Sequence, residues 1–136
     1  MYKRVGDVDV TGLAELAQQF PISDSSLYDL VDGRLLPVEE AFRPYLGHMF
    51  PGEWKFCFLV ILEQGGSIEP HKDKDELPRY HIVLATNDKS WSYHEGDWQQ
   101  LELGGVYRMD PRGTHASINW GTKRIHLIID TEEFHD

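Results

Sequence analysis

Apolar positions are distributed in two ways along this chain. Up to about residue 50 they are sparse and partly helical in spacing. From Trp54 onward they come in short runs broken by turn residues. Leu13, Leu16, Ala17 and Phe20 share one face at helical period, which predicts a helix over Thr11–Phe20 with Thr11 as its N-cap and Pro21 as its stop. Ser23–Leu30 reads as a further short turn or extended piece, and Val31–Arg34 as a turn. Pro37–Tyr45 holds one helical turn that Pro44 is expected to end early.

The second part reads as strands. Trp54–Leu62 is aromatic and β-branched with few polar breaks, the pattern of a buried strand. Ser67–His71 is a short strand with Pro70 at an edge or end. Arg79–Thr86, Lys89–His94, Trp98–Leu103, Val106–Met109, His115–Asn119 and Arg124–Asp130 follow, separated by turns such as Asn87-Asp88, Glu95-Gly96-Asp97 and Asp110–Gly113. About eight short strands with no helices between them disfavour a parallel βαβ plan. The predicted fold is all-β dominated: a double-stranded β-helix (jelly roll) with short N-terminal helices. A single domain over 1–136 is expected, with a helical or irregular cap over 1–50 and the jelly-roll core over 54–131.

The 136 residues suit one domain with a real core. A net charge of −10 argues against nucleic acid or an anionic membrane as a partner, though one positive cleft remains possible. Cys57 is the single cysteine and lies in an apolar run, so an internal disulfide framework and a cysteine-based zinc site are excluded, and a buried thiol is expected. No signal peptide or membrane-spanning run is read, and a soluble cytoplasmic protein is the expectation.

Candidate chemistry begins at Ile68-Glu69-Pro70-His71-Lys72-Asp73. His71 and Asp73 are two apart, so on extended backbone they point to one face while Lys72 points away. With seven histidines in the chain a chance His-x-Asp means little. His115, however, opens another strand after a tight turn, and a jelly roll can bring that strand alongside. Two histidines and one carboxylate with open positions are the signature of a non-heme Fe(II) oxygenase. Arg124 lies in an otherwise apolar strand, on one face with His126, Ile128 and Asp130, opposite Ile125, Leu127 and Ile129. A guanidinium turned into a barrel wants a carboxylate: the distal carboxylate of 2-oxoglutarate, or a structural partner such as Asp110 or Asp130. Arg79 and His81 form a second same-face pair. They supply further anion contacts or lie on a solvated sheet face. Tyr80, Trp91, Tyr93 and Trp98 are candidates to wall the pocket or to pack in ordinary ways.

The order Pro70-His71-x-Asp73, Arg79-x-His81-x-x-Leu84, His115-x-x-x-Asn119 and Arg124-x-His126-Leu127-x-x-Asp130 resembles the aspartyl/asparaginyl β-hydroxylase family, over roughly Lys55–Thr131. The resemblance implies an Fe(II)- and 2-oxoglutarate-dependent dioxygenase that uses O2. It implies His71, Asp73 and His115 as iron ligands, Arg124 as the clamp on 2-oxoglutarate with His81 assisting, and Arg79 as the contact to an acidic group of the substrate. Some relatives have no carboxylate at the position of Asp73, and here the Asp completes the triad. Two departures stand out: the His71–Arg79 loop is one residue shorter, and Val60 stands where a serine helps hold 2-oxoglutarate. The implied substrate is a small molecule or peptide, with an amino-acid side chain or similar carboxylated group hydroxylated. The rival readings are a cupin-type metal enzyme that does not use 2-oxoglutarate, and a non-catalytic jelly-roll binding module.

Overall fold

The computed structural model describes residues 1–19 and 35–136. The segment expected over Ser23–Leu30 and the turn over Val31–Arg34 lie outside the described residues. The elements run β1 (Lys3–Asp7), α1 (Leu13–Gln18), α2 (Leu35–Leu46), β2 (Phe56–Leu62), β3 (Ser67–His71), β4 (Arg79–Ala85), β5 (Ser90–His94), β6 (Asp97–Gln99), β7 (Gly105–Met109), β8 (His115–Asn119) and β9 (Arg124–Asp130).

All strand pairs are antiparallel and fall into two sheets, one ordered β1-β7-β4-β9-β2 and the other β3-β8-β5-β6. This is the jelly-roll arrangement that the strand spacing predicts. The chain therefore alternates between sheets, and residues far apart in sequence share the space between them.

The larger core lies on the outer side of the five-stranded sheet. There Cys57, Leu59, Ile61, Tyr80, Ile82, Leu84, Ile125, Leu127 and Ile129 meet Leu13 and Ala17 of α1 and Val38, Phe42 and Leu46 of α2. Their alternate neighbours Phe58, Val60, Arg79, His81, Arg124 and Ile128 face the space between the sheets. Period-2 alternation thus gives β2, β4 and β9 one apolar face for the helices and one chemically mixed face for the interior. Cys57 belongs to the apolar face, and burial pushes its thiol pKa up.

Three local expectations are corrected. The N-cap of α1 is Gly12, left-handed at φ 80°, with no side-chain cap; Thr11 instead donates its backbone N–H to Asp9. α2 continues through Pro44 to Leu46. Pro44 has no N–H for the carbonyl of residue 40, a loss of one ladder bond near the helix end, and the buried stripe Val38, Phe42 and Leu46 holds the helix on β2 in spite of it. β1 was not predicted. Its sequence Lys-Arg-Val-Gly-Asp lacks an apolar alternation because it is an edge strand, paired only with β7.

Candidate metal centre

β3 and β8 create the first part of the site. Ile68 pairs with Ser117, but His71 pairs with His115, so β3 carries one extra residue across a two-residue step of β8. This bulge contains Pro70, which has no N–H to give to the ladder. It turns both Ile68 and His71 toward the interior, where both line one cavity.

Asp73 lies just beyond the strand. Its backbone N–H donates to the Pro111 carbonyl at 2.9 Å, which fixes it against the turn preceding β8. Lys72 between the two residues is exposed, as the spacing predicts.

Ligand-bearing atoms of His71, Asp73 and His115 all lie within 4.8 Å of one another. The ring centroids of His71 and His115 are 4.2 Å apart. Asp73 Oδ2 is 3.1 Å from His115 Nε2 and 3.7 Å from His71 Nε2. Each histidine is oriented from behind: His71 Nδ1 lies 2.8 Å from the Glu69 carbonyl, and His115 Nδ1 lies 2.7 Å from the Gly113 carbonyl. Those contacts assign the ring proton to Nδ1 and leave both Nε2 lone pairs facing the cluster. Burial lowers the His115 pKa, which favours its neutral, metal-ligating form. With its proton committed to Gly113, neutral His115 has no hydrogen to place between Nε2 and Asp73. A cation fits the gap between those two lone-pair donors. The imidazole and carboxylate set suits Fe(II) and similar divalent ions.

Arg79 reaches the same cluster from β4. It donates from Nη1 to Asp73 Oδ2 at 2.7 Å, and from Nε and Nη2 to the two oxygens of Asp130 at 2.8 and 2.9 Å. Three of its five N–H groups are thereby engaged by this chain's own carboxylates. Its guanidinium also lies 5.5 Å from the Phe58 ring. Asp130 has its pKa raised to about 6, by burial first, against the pull of Arg79.

Arg124 lies in the same cavity and is only 1% exposed. Among the described residues, its Nε and Nη1 have no hydrogen-bond partner. The two carboxylates weighed as structural partners are engaged elsewhere: Asp110 with Arg112, and Asp130 with Arg79. Burial lowers the Arg124 pKa to about 10. An unpaired guanidinium in such surroundings is strongly unfavourable unless an anion joins it.

His81 Nδ1 lies 3.1 Å from His126 Nδ1, while His81 Nε2 has no partner among the described residues. Both rings have pKa values well below the usual imidazole range, from burial and then the nearby Arg124. Both are therefore neutral.

The cavity joining these groups has a volume of about 440 Å³, within the range of small-molecule sites. Its apolar wall is Phe56, Phe58, Val60, Ile68 and Ile128, and Tyr2 closes one side. The aromatic residues singled out from sequence do not line it. Tyr80 belongs to the outer core, Trp91 and Trp98 are exposed, and Tyr93 packs on Trp98 at 5.0 Å. Phe56 and Phe58 were visible only as members of a hydrophobic strand. Tyr2 carried no signal, because its place depends on the pairing of β1.

A two-sheet jelly roll with a His-Asp-His cluster at one end of its interior defines a cupin-type protein with a candidate metal centre. The chain belongs to the Aspartyl/Asparaginyl beta-hydroxylase family, whose profile matches residues 44–133. Membership makes it a cupin-fold oxygenase. Among solved structures, it is similar to an oxidoreductase of the 2OG-Fe(II) oxygenase family from Burkholderia pseudomallei, with a TM-score of 0.56 and 13% identity over 92% of this chain and 79% of that one. It is also similar to a predicted oxalate decarboxylase from Thermotoga maritima, at TM-score 0.49 and 18% identity over 67% and 70% of the two chains. A cupin domain from Bordetella pertussis Tohama I gives 0.48 and 20% identity over 58% and 82%. Among the described residues no helix is long and apolar enough to cross a membrane.

Proposed function

We propose that this protein is an Fe(II)- and 2-oxoglutarate-dependent hydroxylase, with His71, Asp73 and His115 as iron ligands and Arg124 as the anchor of the 2-oxoglutarate distal carboxylate. One observation carries the reading. The three-ligand cluster and a buried guanidinium lacking partners at Nε and Nη1 open onto the same cavity. Iron supplies the redox chemistry that couples conversion of 2-oxoglutarate and O2 to succinate and CO2 with insertion of one oxygen into a substrate C–H bond.

The chain's own residues do the rest. His71 and His115 present Nε2 with their Nδ1 protons held by backbone carbonyls. Asp73 would add one negative charge to the set that holds the ion. Arg79 holds Asp73 while Asp130 holds Arg79. With His126 Nδ1–H donating to His81, the His81 proton sits on Nε2, where it can donate to an anion beside Arg124. Phe58, Val60, Ile68 and Ile128 exclude water from that path.

The substrate enters past Phe56, with Lys55 and Lys74 at the rim. A carboxylated small molecule or peptide side chain suits those two ammonium groups. Arg79 keeps two N–H bonds for an acidic group of the substrate, while its other three orient Asp73 through the fork with Asp130.

The test is succinate release by the iron-loaded protein across amino acids and short acidic peptides. Substrate-dependent succinate formation supports the reading. Oxygen-dependent turnover of a substrate with no consumption of 2-oxoglutarate would overturn it.

A further inference from the structure

Arg124 does not account for the whole deep end of the cavity. Val60, Ile68 and Ile128 offer no hydrogen bond there. Besides His81 and Ser117, a further polar group comes from the N-terminal segment. Tyr2 lines the cavity, is 2% exposed, and packs its ring against His81 at 5.1 Å and His94 at 5.8 Å. Its backbone is fixed on both sides by Gln99: the Tyr2 N–H donates to Gln99 Oε1 at 2.7 Å, and Gln99 Nε2 donates to the Tyr2 carbonyl at 3.0 Å. Pairing of β1 with β7 holds the segment in place.

We propose that the Tyr2 hydroxyl is a further donor, beside His81 Nε2, to the anion held by Arg124, and so helps select a 2-oxo acid with a distal carboxylate. This inference rests on the function proposed above. Its basis is placement: Tyr2, His81 and Arg124 line the same interior space, and the phenol has no hydrogen-bond partner among the described residues. Electrostatics agrees. Burial raises the Tyr2 pKa to about 12, while Arg124 and then Arg79 pull it down, so the hydroxyl lies within the fields of both guanidinium groups. At neutral pH it is a protonated donor, and a carboxylate beside Arg124 gives it an acceptor.

The test compares Tyr2→Phe with the wild-type chain in anaerobic calorimetric titrations of the Fe(II)-loaded protein. The two ligands are 2-oxoglutarate and 2-oxopentanoate, which has the same 2-oxo acid head and a methyl group in place of the distal carboxylate. The variant keeps the ring and its packing on His81. Wild type should prefer 2-oxoglutarate. Tyr2→Phe should weaken 2-oxoglutarate roughly 10- to 100-fold, as expected for one hydrogen bond to a charged group, and leave 2-oxopentanoate unchanged. Equal weakening of both ligands would assign Tyr2 a merely structural role and overturn the inference, as would no change in either. Wild type showing no preference for 2-oxoglutarate would defeat the proposed function itself. That outcome is read without the variant, so the two failures are distinguishable.

Discussion

Arg79 and Asp130 are 51 residues apart and face each other as a fork: Nε to Oδ1 at 2.8 Å and Nη2 to Oδ2 at 2.9 Å, with the Asp130 side chain fully buried. Adjacent pairing of β4 and β9, in which Arg79 lies opposite Asp130, sets this geometry. The third arm of Arg79 then meets Asp73. A structural pair in the five-stranded sheet thereby orients a candidate ligand on the loop after β3.

Breaking that fork should be expensive. Asp130→Asn leaves a buried guanidinium short of its counter-charge, and the loss of unfolding free energy should be about 3–5 kcal/mol. Urea unfolding of the metal-free protein measures it. A loss below about 1 kcal/mol would mean that the pair contributes little to the fold.

Asp73 carries a separable claim. If it is a ligand, Asp73→Gly should weaken Fe(II) binding by at least about tenfold, or ~1.4 kcal/mol. His71→Ala should do the same. Full iron affinity and turnover in Asp73→Gly would remove the carboxylate from the metal set while leaving the two histidines in place.

Arg124 should show opposite effects on stability and binding. Arg124→Met removes a buried cation whose Nε and Nη1 have no partner among the described residues, and keeps much of its bulk, so the metal-free protein should gain roughly 1–3 kcal/mol in urea unfolding. The same variant should lose saturable 2-oxoglutarate binding and retain iron. A variant that is less stable and still binds 2-oxoglutarate would exclude Arg124 as the anion anchor. Retained catalysis without 2-oxoglutarate would favour a cupin enzyme of another type.

Buried histidines predict the pH response. His81 and His126 have folded pKa values well below the ordinary 6.5, so the unfolded chain binds more protons as pH falls under that value. Stability should be level above about pH 6.5 and decline below it, by up to ~1.4 kcal/mol per pH unit for each ring. Asp130 acts in the opposite sense: its pKa is raised to about 6, so its contribution is full at low pH and fades as pH rises from about 4 through 6. His115, lowered by burial, adds to the histidine side. The net expectation is a decline from pH 6.5 to pH 5 in urea titrations with chelator present. A rise in stability over that interval would contradict neutral buried imidazoles.

The period-2 pattern made much of this architecture legible. β3, β8 and β9 begin and end where their residue runs do, and alternation along β9 separates Arg124, His126, Ile128 and Asp130 from the outer-core residues Ile125, Leu127 and Ile129. The identity of the three clustered side chains was legible from residue type and order. Their orientation was not, because the bulge at Pro70 shifts the register by one residue. The fork between Arg79 and Asp130 depends on which strands become neighbours. Tyr2 depends on an edge strand with no hydrophobic signature. Trp91 and Trp98 read from sequence as candidates to wall the pocket, yet their side of the four-stranded sheet faces solvent.

The most direct test of the central claim is an anaerobic titration of the metal-free protein with Fe(II), then with 2-oxoglutarate, followed by visible absorption. Iron chelated by 2-oxoglutarate should produce a weak charge-transfer band that saturates at one equivalent, is absent in His71→Ala, and fails to saturate in Arg124→Met. Absence of the band in the wild-type protein, or an identical band in His71→Ala, would contradict the account.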